Sequence, residues 1–395
     1  MKILVVCQHY HPEPFRLTDI CEELVKRGHT VTVLTGVPNY PRGEIFPGYE
    51  KHQRREEKIN GVDVIRCTTV PRKQSVFFRV FNYFSYPIFA GWKAVHMSDD
   101  YDMVFVYQLS PVLMALPGIF YAKKHRKKLV LYCLDLWPSS LSAGGIGINS
   151  PIYHCFHVIS RLIYRHADCI LYTSRQFGSY FSSQFSIQAE KMAYLPQYSE
   201  DLFQPAAHSF GDELHLMFAG NLGAAQSVET ILSAAEELKE YKQIWWHIIG
   251  DGCRYDALKA MAQHLDHVIF YGRQPLERMP DFYTMADGML VTLMRDSLIS
   301  LTLPGKVQTC MAAGKPIIAA ADGEISFVIR DADCGYCVPA EDSHALAQAV
   351  LAFLRDPQKQ EYGLHARRYF DGHFDRKIFF DRLEDVLRAM TDSSS

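Results

Sequence analysis

The sequence predicts a two-lobe α/β protein with a parallel sheet in each lobe, and three observations carry that reading. At 395 residues the chain is long for one core and suits two domains. Its first sixty residues run strand, helix, strand, as a βαβ unit does. The same pattern restarts after Pro196–Pro205. The resulting division is 1–205 for the first Rossmann-like lobe, 206–375 for the second, and 376–395 for a closing helix and tail.

In the first lobe, the apolar run Ile3–Cys7 leads through a polar loop, Gln8–Arg16, to a helical pattern at Leu17–Arg27. Gly28-His29 ends that helix and a second apolar run occupies Thr30–Leu34. Further β-like runs fall at Val62–Cys67, Met103–Tyr107, Leu129–Leu134, Cys169–Thr173 and Met192–Leu195, as expected of an open parallel sheet. The second lobe repeats the alternation: Leu214–Ala219, helix Val228–Leu238, Trp245–Ile249, a GDG loop, Val268–Tyr271, Gly288–Leu293 and Pro316–Ala320. The final helical pattern, Arg376 to Met390, is long enough to leave its own lobe and pack on the other.

Apolar residues make up 48% and charged residues 22%, a globular balance without room for a large disordered region. A net charge of −3 gives no reason to expect a nucleic-acid partner. The ten cysteines are scattered, and Met1-Lys2-Ile3-Leu4-Val5-Val6 reads as a core strand rather than a signal peptide, so a reducing, cytoplasmic setting is expected. Cys334 and Cys337 form one CxxC without a second pair or histidines at zinc spacing, and no metal is expected. Asp331-Ala332-Asp333 is formally a DxD, but turn chemistry accounts for it. Asp99-Asp100-Tyr101-Asp102 likewise reads as an exposed acidic turn.

Between Arg72-Lys73 and His96 lies a stretch rich in Phe, Tyr and Trp, interrupted by Arg79, Asn82 and Pro87. Those interruptions argue against a membrane span. With Lys123-Lys124-His125-Arg126-Lys127-Lys128 on the same lobe, the stretch fits an interfacial element with its apolar side in lipid and basic groups at phosphates. A buried helix beside a solvated basic turn is the plain alternative.

Two Rossmann-like lobes suit a nucleotide, yet the loop after the first strand, QHYHPEPFR, lacks GxGxxG, which removes most support for a dehydrogenase. Phosphate signals sit in the second lobe. Gly220-Asn221-Leu222-Gly223 follows a strand and precedes a helix, where free amides favour a diphosphate, and Gly250-Asp251-Gly252 repeats the geometry next door. Lys306, just after Pro304-Gly305 at a helix start, can reach phosphates there, while Met311-Ala312-Ala313 continues that helix to Gly314.

The motifs together resemble family 4 of the GT-B-fold glycosyltransferases, in the branch that builds bacterial O-antigen, capsule and exopolysaccharide units and includes L-fucosamine-type transferases. The residues carrying the resemblance are PEPFR at Pro12–Arg16, KRGHTVTVLTGVPNYPRG at Lys26–Gly43, DLWP at Asp135–Pro138 and YLPQY at Tyr194–Tyr198. In the second lobe they are GNLGAAQ at Gly220–Gln226, IGDG at Ile249–Gly252, PGKVQTCMAAGKPI at Pro304–Ile317 and DGE at Asp322–Glu324.

The resemblance implies two lobes facing across a cleft, with the closing helix crossing back to the first. It implies metal-independent transfer with retention from a nucleotide diphosphate sugar, a UDP-sugar such as UDP-N-acetyl-L-fucosamine being favoured, on the C-terminal lobe. The acceptor, a polyprenyl-diphosphate-linked glycan, would sit on the N-terminal lobe at the cytoplasmic face of the inner membrane. No cofactor beyond the donor substrate is implied. Charge grows on the leaving diphosphate, so cations and amides around it are the main catalytic need. Lys306, Gly220, Asn221 and Gly223 are the leading candidates, with Gln226, Gly250, Asp251, Gly252 and Thr309 around them.

Many members of the wider family carry Arg and Lys where Asn221 and Gln226 stand, and two glutamates where Leu301 and Thr309 stand. Arg273 and Arg16 are expected to restore part of that charge, and Glu324 to bind the donor sugar or orient Lys306. On the acceptor side, Asp135 ends a strand where open sheets place ligands, and Glu13 is the second carboxylate candidate. His9, His11, Asn39 and Tyr40 complete the expected acceptor contacts. A sugar-nucleotide epimerase of the same fold and a non-catalytic partner subunit are the rival readings.

Overall fold

The computed structural model describes residues 1–41, 43–50, 53–71, 76–143, 145–207 and 209–392. Arg42, Arg72, Lys73 and the Ser393–Ser395 tail, and the side chains of Phe77 and Arg79, lie outside them. The chain divides into two compact units, one of Met1–Thr173, Phe177–Leu195 and the residues from Phe380 on, the other of Ser174–Gln176 and Pro196–Phe379.

The first unit holds strands β1 (Lys2–Val6), β2 (Thr30–Gly36), β3 (Glu56–Ile59), β4 (Val62–Cys67), β5 (Met103–Gln108), β6 (Lys128–Cys133), β7 (Cys169–Tyr172) and β8 (Met192–Tyr194). Their order in the sheet is β3-β4-β2-β1-β5-β6-β7-β8. All neighbours are parallel except β3 and β4. The central strands β1 and β5 are apolar runs buried along nearly their whole length, because helices cover both sheet faces.

The antiparallel edge β3 corrects the expectation of a purely parallel sheet. Its sequence, Glu-Glu-Lys-Ile, alternates exposed and half-buried, as an edge with one wet face does, and so offers no apolar run to the eye.

Right-handed crossovers fix where the helices go. The helices Val76–His96, Leu116–His125 and Pro151–His166 each precede a strand further along the β5-β6-β7 direction and pack side by side as one layer. Helix Leu17–Lys26 leads the opposite way, from β1 to β2, and takes the other face. There Arg27 meets Asp381 at 2.9 Å and Glu384 at 3.0 Å, tying in the closing helix Arg376–Asp392. Pro87 is accommodated inside the aromatic helix, and among the described residues no helix is long and apolar enough to cross a membrane.

The second unit holds β9 (Leu214–Ala219), β10 (Ile244–Ile249), β11 (Val268–Gly272), β12 (Gly288–Thr292), β13 (Ile317–Ala320) and β14 (Gly335–Val338), all parallel, in the order β11-β10-β9-β12-β13-β14. Strand β14, Gly-Tyr-Cys-Val, went unread in the sequence because it is only four residues long and opens on a glycine. Each sheet has one point where strand order reverses, at β1 between β2 and β5 and at β9 between β10 and β12. Open α/β sheets bind ligands beyond the C-terminal strand ends at such points.

Candidate functional site

In the second unit, the loop after β9 is zipped to the loop after β10. The Gly220 N–H donates to Ile249 O at 2.9 Å, Leu222 N–H to Asp251 O at 2.9 Å, and Arg254 N–H to Leu222 O at 2.9 Å. Gly250 makes this approach possible: at φ +140°, a Cβ there would lie 1.7 Å from Gly220 O. Gly252 is pressed in the same way, a Cβ falling 2.5 Å from Leu222 O. Zipping leaves the backbone N–H groups of Asn221 and Gly223 without partners among the described residues, where an anion can take them.

Lys306 reaches this spot from the first turn of the helix Gly305–Ala312. Its ammonium lies where a Cβ on Gly220 would stand 2.9 Å away, 4.0 Å from the centroid of the Phe218 ring, and donates to Gln226 Oε1. Gln226 is itself fixed, its carbonyl accepting the Thr292 hydroxyl. Burial lowers the Lys306 pKa to about 7, and among the described residues no carboxylate faces it to offset the lost hydration. The other lysine of the motif does something else. Lys315 is 3% exposed and donates to Ala286 O at 2.8 Å and Thr284 O at 3.3 Å, closing the end of the helix Met279–Met285; burial lowers it to about 8.

The remaining expected donor contacts separate. Arg273 is exposed, just past β11, and forms no ion pair among the described residues. Asn221 is exposed, and the Asp251 carboxylate accepts the Gly252 amide at 2.7 Å. Thr309 is buried, donating to Gly305 O at 3.1 Å and accepting from the Ser199 hydroxyl at 3.4 Å.

Glu324 departs from the expectation that it orients Lys306. At 1% exposure, its carboxylate accepts the amides of Arg175 at 3.0 Å and Gln176 at 3.3 Å, and no bond joins it to Lys306. Burial raises its pKa, opposed by those amides. Its partners are helix-start amides, which a sequence cannot bring to it across so many residues. Asp331 of the DAD sequence accepts the Tyr369 hydroxyl at 2.8 Å and stands 3.6 Å from Arg175.

In the first unit, the loop after β1 is organised by Glu13. Its carboxylate, 3% exposed, accepts the amides of Tyr10 (3.2 Å), Asn39 (2.9 Å) and Tyr40 (2.7 Å) and stands 3.1 Å from His9 Nδ1. With four donors on two oxygens, Glu13 holds the β1 and β2 loops together, which leaves it poorly placed to take a proton from substrate. The carboxylate on Nδ1 leaves His9 Nε2 as the face of that ring open to other partners. The His9, Phe15 and Tyr40 rings pack with centroids 5.1 to 5.6 Å apart. Asn39 is buried with its amide on Val37 O. The His11 side chain is exposed; its carbonyl takes Arg66, a buried residue that the sequence reading passed over, at 2.7 Å.

Asp135 lies at the start of the loop after β6, two residues past its end. It accepts the Ser110 hydroxyl at 2.9 Å, and Ser110 Oγ accepts the Trp137 indole N–H at 2.9 Å. Burial raises the Asp135 pKa, and the Ser110 hydrogen bonds oppose the rise. Arg16 lies near enough for Tyr107, at the end of β5, to feel it: burial pushes that phenol up, Arg16 favours its phenolate, and Asp135 opposes it. Arg16 and Asp135 thus both bear on Tyr107, near the end of β5, the strand beside β1. Ser110, unremarked in the sequence, could have been found only as a polar residue just beyond a strand end.

Two Rossmann-like sheets of this order, with a glycine-zippered loop at the reversal point of the second, define the GT-B architecture. Residues 15–197 match the family model for the glycosyl transferase 4-like domain, and residues 213–356 that for glycosyl transferases group 1. The chain is a glycosyltransferase of GT-B type. It is 24% identical over 414 residues to WcaI of Escherichia coli K12, named as a proposed colanic acid biosynthesis glycosyl transferase, covering 98% of each protein. Among solved structures it superposes on sucrose-phosphate synthase from Thermosynechococcus elongatus, with TM-score 0.76, 18% identity and 99% of both chains covered. It also superposes on Anabaena HepE in complex with UDP and glucose, with TM-score 0.70, 16% identity and 98% and 99% covered.

Proposed function

We propose that the protein transfers a sugar, with retention of anomeric configuration and without a metal ion, from a nucleotide diphosphate sugar to a polyprenyl-diphosphate-linked glycan. The setting is bacterial surface polysaccharide synthesis at the cytoplasmic face of the inner membrane. The observation that carries the reading is Lys306, a partly dehydrated ammonium held over Gly220 beside the open amides of Asn221 and Gly223. A diphosphate supplies negative charge to this ammonium, and the site answers the charge that grows on the leaving group. The colanic acid name of the E. coli relative supports the polysaccharide setting, and the UDP in the Anabaena structure supports a UDP-sugar. A UDP-N-acetylated 6-deoxysugar of the L-fucosamine kind is the favoured donor.

Of the acceptor-side candidates, Asp135 is the carboxylate with donors from Ser110, its hydroxyl and its backbone, rather than from several segments, and it holds the acceptor hydroxyl or accepts its proton. Glu13 positions His9. Arg273 adds donor charge from the loop after β11. Incubation with UDP, GDP and dTDP sugars plus a lipid-linked acceptor, read by mass spectrometry, tests the reading. A glycosylated acceptor supports transfer, free isomerised donor means an epimerase, and inertness of folded protein means a partner subunit.

A further inference from the structure

The helical layer Val76–His96, Leu116–His125 and Pro151–His166 has an outer surface that the sheet does not explain. Of the 18 large hydrophobic side chains exposed among the described residues, 12 lie on these helices or on Ile148 just before the last. Trp92 is 65% exposed, Ile88 63%, Phe81 60% and Leu162 54%, and Phe120 crosses Gly91 to join the first two helices. So much apolar surface in one place marks a contact face.

The third helix belongs to the same face. Ile152 and Leu162 are exposed on it, while Phe156 packs on Trp137 at 5.2 Å between centroids; Tyr83 of the first helix meets the same indole at 6.3 Å. Trp137 in turn donates to Ser110, the partner of Asp135. The apolar face therefore borders the Asp135 loop.

Charge selects the occupant. These three helices contain no Asp or Glu, in a chain whose net charge is −3. Lys127 and Lys128 of the basic turn are paired with Asp99 and Asp168, but Lys123, Arg126 and Arg161 are exposed with no ion pair among the described residues. Unpaired cations at the edge of an acid-free apolar face suit lipid phosphates.

We propose that the whole three-helix layer, with Pro151–His166 as a second arm beside the aromatic helix, docks on an anionic bilayer, so that a lipid-borne acceptor emerges beside Asp135. The inference rests on the lipid-linked acceptor of the proposed function. Its test needs neither donor nor acceptor: co-sedimentation of the full chain with phosphatidylglycerol/phosphatidylcholine vesicles, while turnover of the donor with a short-chain soluble acceptor is measured separately. Ile152→Glu with Leu162→Glu should lower partitioning by about tenfold or more. Each of Lys123→Gln, Arg126→Gln and Arg161→Gln should lower it about fivefold. Leu276→Glu, on the second unit, should leave it unchanged, and melting temperatures check that each variant folds. Equal partitioning of the Ile152/Leu162 variant and the unaltered chain would overturn the proposal. So would a wild-type dimer that the same substitutions dissociate without any vesicle binding, because the face would then be covered by a second copy. Donor turnover that persists in either case leaves the transferase reading standing.

Discussion

Lys306 Nζ donates to Gln226 Oε1 with the Phe218 ring 4.0 Å away, so the ammonium is held in place by a neutral amide and an aromatic face, with no counter-ion among the described residues. An ammonium so placed costs the fold hydration and gains it back when an anion arrives.

Replacing Lys306 by Ala should weaken nucleotide-sugar binding by about 1.5–3 kcal/mol, roughly ten- to hundredfold, the usual worth of a charge-assisted hydrogen bond. Calorimetric titration with the accepted nucleotide checks it. Unchanged affinity would remove Lys306 from the diphosphate.

The same residue makes donor binding depend on pH. Free Lys306 loses its proton near pH 7, and a bound diphosphate favours the charged form and raises that pKa. Binding therefore takes up a proton above pH 7. Affinity should be level below pH 7 and fall by about tenfold per unit above it, until the bound-state pKa is reached. Titrations in buffers of different ionisation enthalpy should register the proton, and Lys306→Ala should abolish the slope.

On the other unit, Asp135→Asn should lower kcat by about a hundredfold or more while leaving nucleotide affinity unchanged. The acid limb of kcat/KM should stand above the ordinary carboxylate range, since burial raises Asp135. Ser110→Ala removes a bond that favours the carboxylate, so that limb should move to higher pH.

Gly250→Ala should unzip the two loops, because its Cβ would overlap Gly220 O. The expected result is a loss of donor affinity of about tenfold or more, exceeding any effect of Gly147→Ala, where nothing lies within 4 Å of the added Cβ.

Much of the fold was legible because the parallel core strands are continuous apolar runs: Val62–Cys67 and Leu214–Ala219 fall where the sequence put them. The polar edge Glu56–Ile59 was hidden, since half its side chains face solvent. In the site, Lys306 could be placed from the Pro304-Gly305 helix start alone, and the glycine loops from their position after strands. The partners were not legible. Glu13 and Glu324 look alike in sequence to any catalytic carboxylate, and only folding reveals that backbone amides from Tyr40 and Arg175 occupy them. Ser110 on Asp135 and Lys315 on Ala286 are likewise contacts between distant segments.

The most direct test of the central claim is an NMR time course of the purified chain with a UDP-sugar of the α series and a lipid-linked glycan, following the anomeric proton. Transfer with retention gives a new signal with the small coupling of an α-linkage, appearing as UDP is released, and its rate falls steeply in the Lys306→Ala variant. A β-linked product, or loss of donor into a free isomer with no linkage formed, would contradict it.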